Sequence, residues 1–171
     1  MDRRFPVGAS RSGEPLYANF EFINGQRGAH VNISGVSGVA TKTSYATFLL
    51  HSLFTSGVLG AAVVNTRALI FNVKGEDLLH LDRRNTSLDE DAERLYRALE
   101  LPAQPFGSVG LFAPPRPGSD RAVADVSSRS DLTSFFWTLA EFCHEDLMVF
   151  LFADAEDERA QYTMVVYNVM A

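Results

Sequence analysis

The chain has 171 residues with 15 Lys+Arg against 21 Asp+Glu, a formal charge of −6, and its 46% hydrophobic and 21% charged residues are ordinary globular proportions that exclude a disordered chain. This length suits one domain with its own core, and the acidic balance excludes a general DNA coat while leaving room for a local basic loop or channel. The single cysteine, Cys143, excludes an intramolecular disulfide framework and an all-cysteine zinc site; with no secretory signal in MDRRFPVGAS and no apolar run of about 18 residues, the chain is read as cytoplasmic, with no membrane partner.

Residues 1–29 read as a leading segment with one short strand at 16–22, set between the breakers Gly8, Ser10, Ser12, Gly13 and Pro15 and the Asn24-Gly25 turn. From 30 to 171 the pattern is that of a partial α/β domain. Residues 29–33 form a strand candidate running into the glycine-containing stretch 34–43. A helix follows directly: Ala46, Leu49, Leu50, Leu53 and Phe54 make one apolar face, and Gly57 is its stop. Residues 61–64 are a short apolar run, and 68–73 are a β-rich run of the fully buried kind. Strand, loop, helix and strand in this order predict a βαβ unit with a right-handed crossover and a parallel sheet.

Ser87 is the expected N-cap of a helix over 88–99, with Asp89, Glu90 and Asp91 complementing the dipole of its first turn. Ala92, Leu95, Tyr96 and Leu99 are its expected buried stripe, and Pro102 stops it. Residues 108–113 read as the next strand and 114–129 as a proline-rich loop. Ser130 or Asp131 is then expected to cap a helix through Cys143, with Phe135, Leu139, Phe142 and Cys143 on its face. Residues 145–153 are apolar and favour helix. A last helix from near Asp154 carries Met164, Val165 and Val169 and has no capping glycine, proline or charged tail. The chain is therefore expected to be a piece of something longer.

The stretch 31–54 carries the parts of a phosphate-binding loop in the required order. These are a strand to fix the start, glycines for close backbone approach, and a helix N-terminus whose amides meet the anion. A lysine for the terminal phosphates and a hydroxyl for magnesium complete the set. Gly35 and Gly38 are spaced like the first two glycines of G-x-x-G-x-G-K-S/T, and Lys42-Thr43 opens the helix as the pattern's Lys-Ser/Thr does. Lys42 sits one position late, and Thr41 replaces the glycine that usually precedes the lysine. A second site follows the second strand candidate, at Asn72-Val73-Lys74-Gly75-Glu76-Asp77. Ligands of open parallel sheets bind beyond the carboxyl ends of strands, so this loop is expected to face the same crevice as Lys42. There Glu76 is suited to hold water or the metal's hydration shell, and Lys74 to neutralise phosphate charge.

At these two sites the chain resembles HerA-type ATPases, the HerA/FtsK branch of P-loop, RecA-like motor proteins. The resemblance covers about residues 5–82 and rests on VGASRSGEPLYANFEF, on RGAHVNISGVSGVATKTSYATFLL with its His30-Val31, and on ALIFNVKGED, which lies where the family has an Asp-Pro-His-Gly-Glu type motif. It implies a RecA-like P-loop NTPase fold, a parallel sheet flanked by helices and incomplete here. It implies ATP and Mg²⁺ as cofactors. Gly35, Gly38, Val39, Ala40, Thr41 and Ser44 would cradle phosphate, Lys42 would contact the β/γ-phosphates, Thr43 would hold the magnesium, and Glu76 would face the nucleotide as a catalytic residue. It further implies an ATP hydrolase that moves on DNA in the complete assembly, as a homo-oligomeric ring hexamer, and admits a nuclease as partner. Asn72 stands where the family has an acidic residue, and no late strand ends in a clear Walker B motif: FLFAD at 150–154 is the nearest. These departures keep open a non-catalytic nucleotide-binding or assembly module. A small-molecule P-loop kinase ranks third, because the 114–129 loop supplies only Arg116, Arg121 and Arg129.

The remaining residues read blandly. His30, His51, His80 and His144 lack metal-ligand spacing, and His51, away from the apolar stripe of its helix, is expected to be solvated. Cys143 is expected to pack in the interior, as are Phe135, Phe136 and Trp137. Arg83, Arg84, Arg116 and Arg121 read as solvated loop charge, and the acidic run 154–158 as a helix N-terminus.

Overall fold

The structure of the chain, a computed structural model, describes residues 3–25, 29–35, 41–72, 75–118, 123–147, 150, 165 and 168. The described residues form a mixed α/β structure with three α-helices, an antiparallel hairpin and a small parallel pair of strands. The chain divides into two compact units, Met1–Val109 and Gly110–Ala171.

In the first unit, β1 (Arg4–Ala9) pairs antiparallel with β2 (Pro15–Asn19), with a bulge between Pro6 and Gly8 that leaves Val7 as the extra residue. The connecting turn closes through Gly13, whose φ of 85° is left-handed, and through the Gly13 amide donating to the Ser10 carbonyl at 2.9 Å. The expected strand 16–22 stops early because Asn19 prefers a cap to a ladder. Its side chain accepts from the Glu21 amide at 2.9 Å and opens a 3₁₀ turn over Phe20–Phe22.

Helix α1 (Thr41–Thr55) lies where the periodicity predicts it and gives way at Ser56 and Gly57, the latter at φ 80°. Leu49, Leu53 and Phe54 pack against a core of Phe5, Phe20 and Leu59. Two side chains of α1 also tie the helix to the hairpin. The Ser52 hydroxyl, fully buried, donates to the Pro6 carbonyl at 2.5 Å, and the Tyr45 hydroxyl donates to the Val7 carbonyl at 3.0 Å.

The predicted βαβ unit does not form among the described residues. Residues 29–35 and 66–72 are irregular, and 60–64 form a 3₁₀ turn. Parallel strands are stable when several pair together and both faces are covered. Here Val31, Leu69 and Phe71 lie exposed, the last two at 83% and 87%, so neither segment has the cover that a parallel ladder needs.

Helix α2 (Glu90–Ala98) is capped by Asp89, whose carboxylate accepts from the Ala92 amide at 2.8 Å, rather than by Ser87. The Ser87 amide is itself held by Asn85 in an Asx turn at 2.9 Å. The stripe is narrower than predicted: Leu99 is buried, Ala92 and Tyr96 are half-buried, and Leu95 is exposed. The helix ends before Pro102 in a Schellman motif, with Glu100 at φ 56° and the Leu101 amide donating to the Tyr96 carbonyl at 2.9 Å.

In the second unit, β3 (Phe112–Ala113) pairs parallel with β4 (Thr133–Ser134). The predicted strand 108–113 is thus shortened, and the helix predicted from 131 begins only at α3 (Leu139–His144). The β-rich residues Thr133, Phe135, Phe136 and Trp137 account for the delay. So does the capping box at Thr138 and Glu141, in which each side chain takes the other's backbone N–H. Phe135, Phe136 and Trp137, predicted to be core, are half-exposed, and two of them pack edge-to-face with neighbouring rings instead: Phe112 on Phe135, Phe135 on Trp137 at 4.8 Å between centroids, and Trp137 on Phe142. Cys143, predicted to be interior, is exposed, because so short a helix buries only Phe142 to any extent. Phe150, Val165 and Asn168 are helical; the predicted acidic run 154–158, with Met164 and Val169, lies outside the described residues. No helix among the described residues is long and apolar enough to cross a membrane.

Two stability measurements check this packing. Phe5→Ala should lower the unfolding free energy in urea by about 3–5 kcal/mol, the range for a buried phenyl ring. Glu100→Gly should raise it by roughly 1 kcal/mol, because only glycine adopts the left-handed position without a Cβ penalty.

Candidate functional site

The first turn of an α-helix carries N–H groups with no partner inside the helix and the positive end of the dipole. Lys42 and Thr43 stand exposed on that of α1, and no acidic residue accompanies them. A cation there works against local preference, since the dipole favours anions at a helix N-terminus. Helix α2 obeys that preference with Glu90, Asp91 and Glu93 in its first turn.

Lys42 and Thr43 sit over a shallow cleft of about 310 Å³. Ala46, Thr47 and Leu50 of α1 form one wall, and Ile33, Ile70 and Leu78 close the other. Ile33 belongs to the segment before the glycine-containing stretch, and Ile70 and Leu78 flank the 72–76 loop. The segments bearing the two predicted sites therefore converge on one end of α1 although neither is a strand.

Within that loop the Asn72 side-chain amide donates to the Gly75 carbonyl at 3.1 Å, and Gly75 adopts φ 60°, a turn that favours glycine. Glu76 precedes a 3₁₀ turn over Asp77–His80 and accepts the Leu79 amide on its carbonyl at 3.0 Å. Of the predicted site residues, Lys42 and Thr43 share the cleft. Ser44 lies round the helix from it, while Gly35 and Glu76 are not among its lining residues. Thr41 is placed only as the first residue of α1. Gly38, Val39, Ala40 and Lys74 lie outside the described residues, as does Arg121. Arg84 pairs with Glu93 at 3.5 Å and Arg116 with Asp125 at 3.4 Å, both on the surface as predicted.

A second, larger cleft of about 690 Å³ opens on the neighbouring face of α1. Ser44, Thr47, Phe48 and His51 line it from the helix, and Tyr96 and Phe106 face them from the chain that packs against it. The prediction that His51 is solvated fails here: it is only 5% exposed. Its ring meets Tyr96 and Phe106 edge-on, with centroids 5.8 and 5.5 Å away. Its Nε2 lies 2.9 Å from the Gln104 carbonyl. A carbonyl only accepts, so Nε2 carries the proton and Nδ1 is left as an acceptor. Nδ1 is buried and has no hydrogen-bond partner among the described residues. Burial holds the His51 pKa below its usual 6.5, outweighing the Gln104 bond that would raise it. Burial also raises the Tyr96 phenol above its usual value. The signal for this face was in the sequence: Ser44, Thr47, Phe48 and His51 repeat at i, i+3, i+4 and i+7, a second stripe beside the aliphatic one.

A scan against models of known protein families finds no match, and a search of curated proteins finds none either.

The lowered pKa of His51 fixes a pH dependence. Below about pH 6.5 the unfolded chain protonates this histidine while the folded chain does not, so stability falls with pH until the folded pKa is reached. Urea midpoints taken at pH 7.5 and 5.5 should show this loss in the wild type, and His51→Phe should remove His51's share of it.

Proposed function

We propose that this chain is the ATP-binding portion of a HerA-like, RecA-type P-loop motor, in which ATP·Mg²⁺ hydrolysis is coupled to movement on DNA. One observation carries the reading. Lys42 and Thr43 occupy the dipole-positive first turn of α1, against helix preference, beside a cleft reached by both motif-bearing segments. An anion with a bound divalent cation resolves that conflict. Lys42 meets its terminal charge, the helix amides meet its oxygens, and the Thr43 hydroxyl meets the metal. In such sites catalysis is positioning and charge stabilisation, with little covalent chemistry asked of the protein. The complete assembly would be a ring hexamer with DNA through its channel, and a nuclease is a compatible partner.

The second reading, a nucleotide-binding or assembly module without turnover, is favoured by Asn72. Its amide is spent on the Gly75 carbonyl, which makes it a turn-forming residue, and an amide cannot replace a carboxylate at a metal or water.

Calorimetric titration with ATP·Mg²⁺ tests the site. Lys42→Ala should weaken binding by at least about tenfold to a hundredfold, the worth of one charge-assisted contact. A folded wild-type chain that binds no ATP sinks the proposal. Turnover stimulated by DNA then separates motor from module.

A further inference from the structure

We infer that the second cleft is the base-binding arm of the same site and takes a nucleobase with an exocyclic amino group, whose N–H is accepted by His51 Nδ1. The inference rests on the nucleotide reading above and names what that site selects. The two clefts adjoin, since Thr43, Thr47 and Leu78 line both. Lys42 and His51 are nine residues apart, about 13 Å along the helix, within reach of an extended nucleoside triphosphate. The larger cleft has the volume of a small-molecule site and aromatic walls from Phe48, Tyr96 and Phe106, which suit the flat face of a base.

His51 supplies the selectivity. The Gln104 carbonyl fixes the ring with its proton on Nε2, so Nδ1 can only accept. A buried acceptor without a donor is a cost that a ligand N–H removes. Adenine's amino group does so, whereas the purine of purine riboside has no N–H to offer Nδ1. Nδ1 is closed to solvent, so binding requires the Tyr96 or Phe106 ring that packs on His51 to move aside.

The experiment separates the two arms by probe. Adenosine and purine riboside, which lacks the amino group, are titrated into the wild-type chain and His51→Phe. Tripolyphosphate with Mg²⁺ is titrated into the wild type and Lys42→Ala. Adenosine should bind the wild type, and both purine riboside and the His51→Phe variant should show affinities at least about tenfold weaker, the loss of one hydrogen bond. Should His51→Phe fail to fold, the imidazole ¹⁵N resonances of the wild type decide: Nδ1 of His51 should move with adenosine and stay with purine riboside. Adenosine that does not bind, or binds no better than purine riboside, overturns the inference. If tripolyphosphate then still binds through Lys42, the nucleotide reading survives without its base arm. Adenosine binding through His51 without tripolyphosphate binding keeps the arm and overturns the phosphate site.

Discussion

Two consecutive side chains in the C-terminal half of α1, His51 and Ser52, hold the first unit together. The Ser52 hydroxyl reaches the Pro6 carbonyl of the hairpin, and His51 reaches the Gln104 carbonyl of the chain beyond α2. Adjacent residues on a helix point about 100° apart, so this pair fastens α1 to two neighbours on two different faces. A buried polar group left unpaired is costly, and each bond here fixes a direction that apolar packing alone would leave loose. The apolar core is small, centred on Phe5, Phe20 and Leu59. Its geometry therefore depends heavily on these two bonds. They also set the candidate site, because the orientation of α1 decides which way Lys42 and Thr43 face.

The second unit relies on local closure instead. Its strand pair is only two residues long on each side, and the supporting contacts are short in sequence. The guanidinium of Arg129, nearly inaccessible, grips both oxygens of Asp131 at 2.6 and 2.5 Å. Thr138 and Glu141 close the start of α3, and the N–H and hydroxyl of Thr138 hold the Glu141 carboxyl below its ordinary pKa. Its end repeats the device that ends α2: Asp146 takes a left-handed φ of 52°, and the Leu147 amide donates to the Phe142 carbonyl at 3.0 Å. Both helices thus terminate with an acidic residue where glycine is favoured, which trades backbone ease for a charged surface.

What could be read in the sequence was what is local to it. The span of α1 and its stop near Gly57 follow from neighbouring residues, whereas the hairpin did not show: Gly8 read as a breaker, yet it lies in the strand Arg4–Ala9. The cap of α3 was equally local, in Thr138 and Glu141, yet the aromatic run before it was read as helix because Phe135, Leu139 and Phe142 fit a helical period. The two strand candidates failed for a different reason. Runs such as 68–73 have β-propensity, but propensity in strands expresses packing against partners, and Leu69 and Phe71 have little cover. The burial of His51 was hidden for the same reason from the other side. A polar residue off the aliphatic stripe looks solvated until a separate stretch of chain lays Tyr96 and Phe106 against it.

This division bears on the site itself. A phosphate subsite is built from a helix N-terminus and two adjacent side chains, so a short stretch of chain specifies it and leaves its mark as a motif. The second cleft is walled by residues distant in sequence, Phe48 and His51 on one side and Tyr96 and Phe106 on the other, so only its helical half, the 44/47/48/51 stripe, shows in the sequence. The same asymmetry separates the consequences of substitution. A change at Lys42 removes a charge that faces solvent and should leave the fold intact. A change at His51 removes one of the two bonds that orient α1. A ligand that gives His51 Nδ1 a donor would therefore act on the side chain that orients α1, the helix whose first turn carries Lys42 and Thr43.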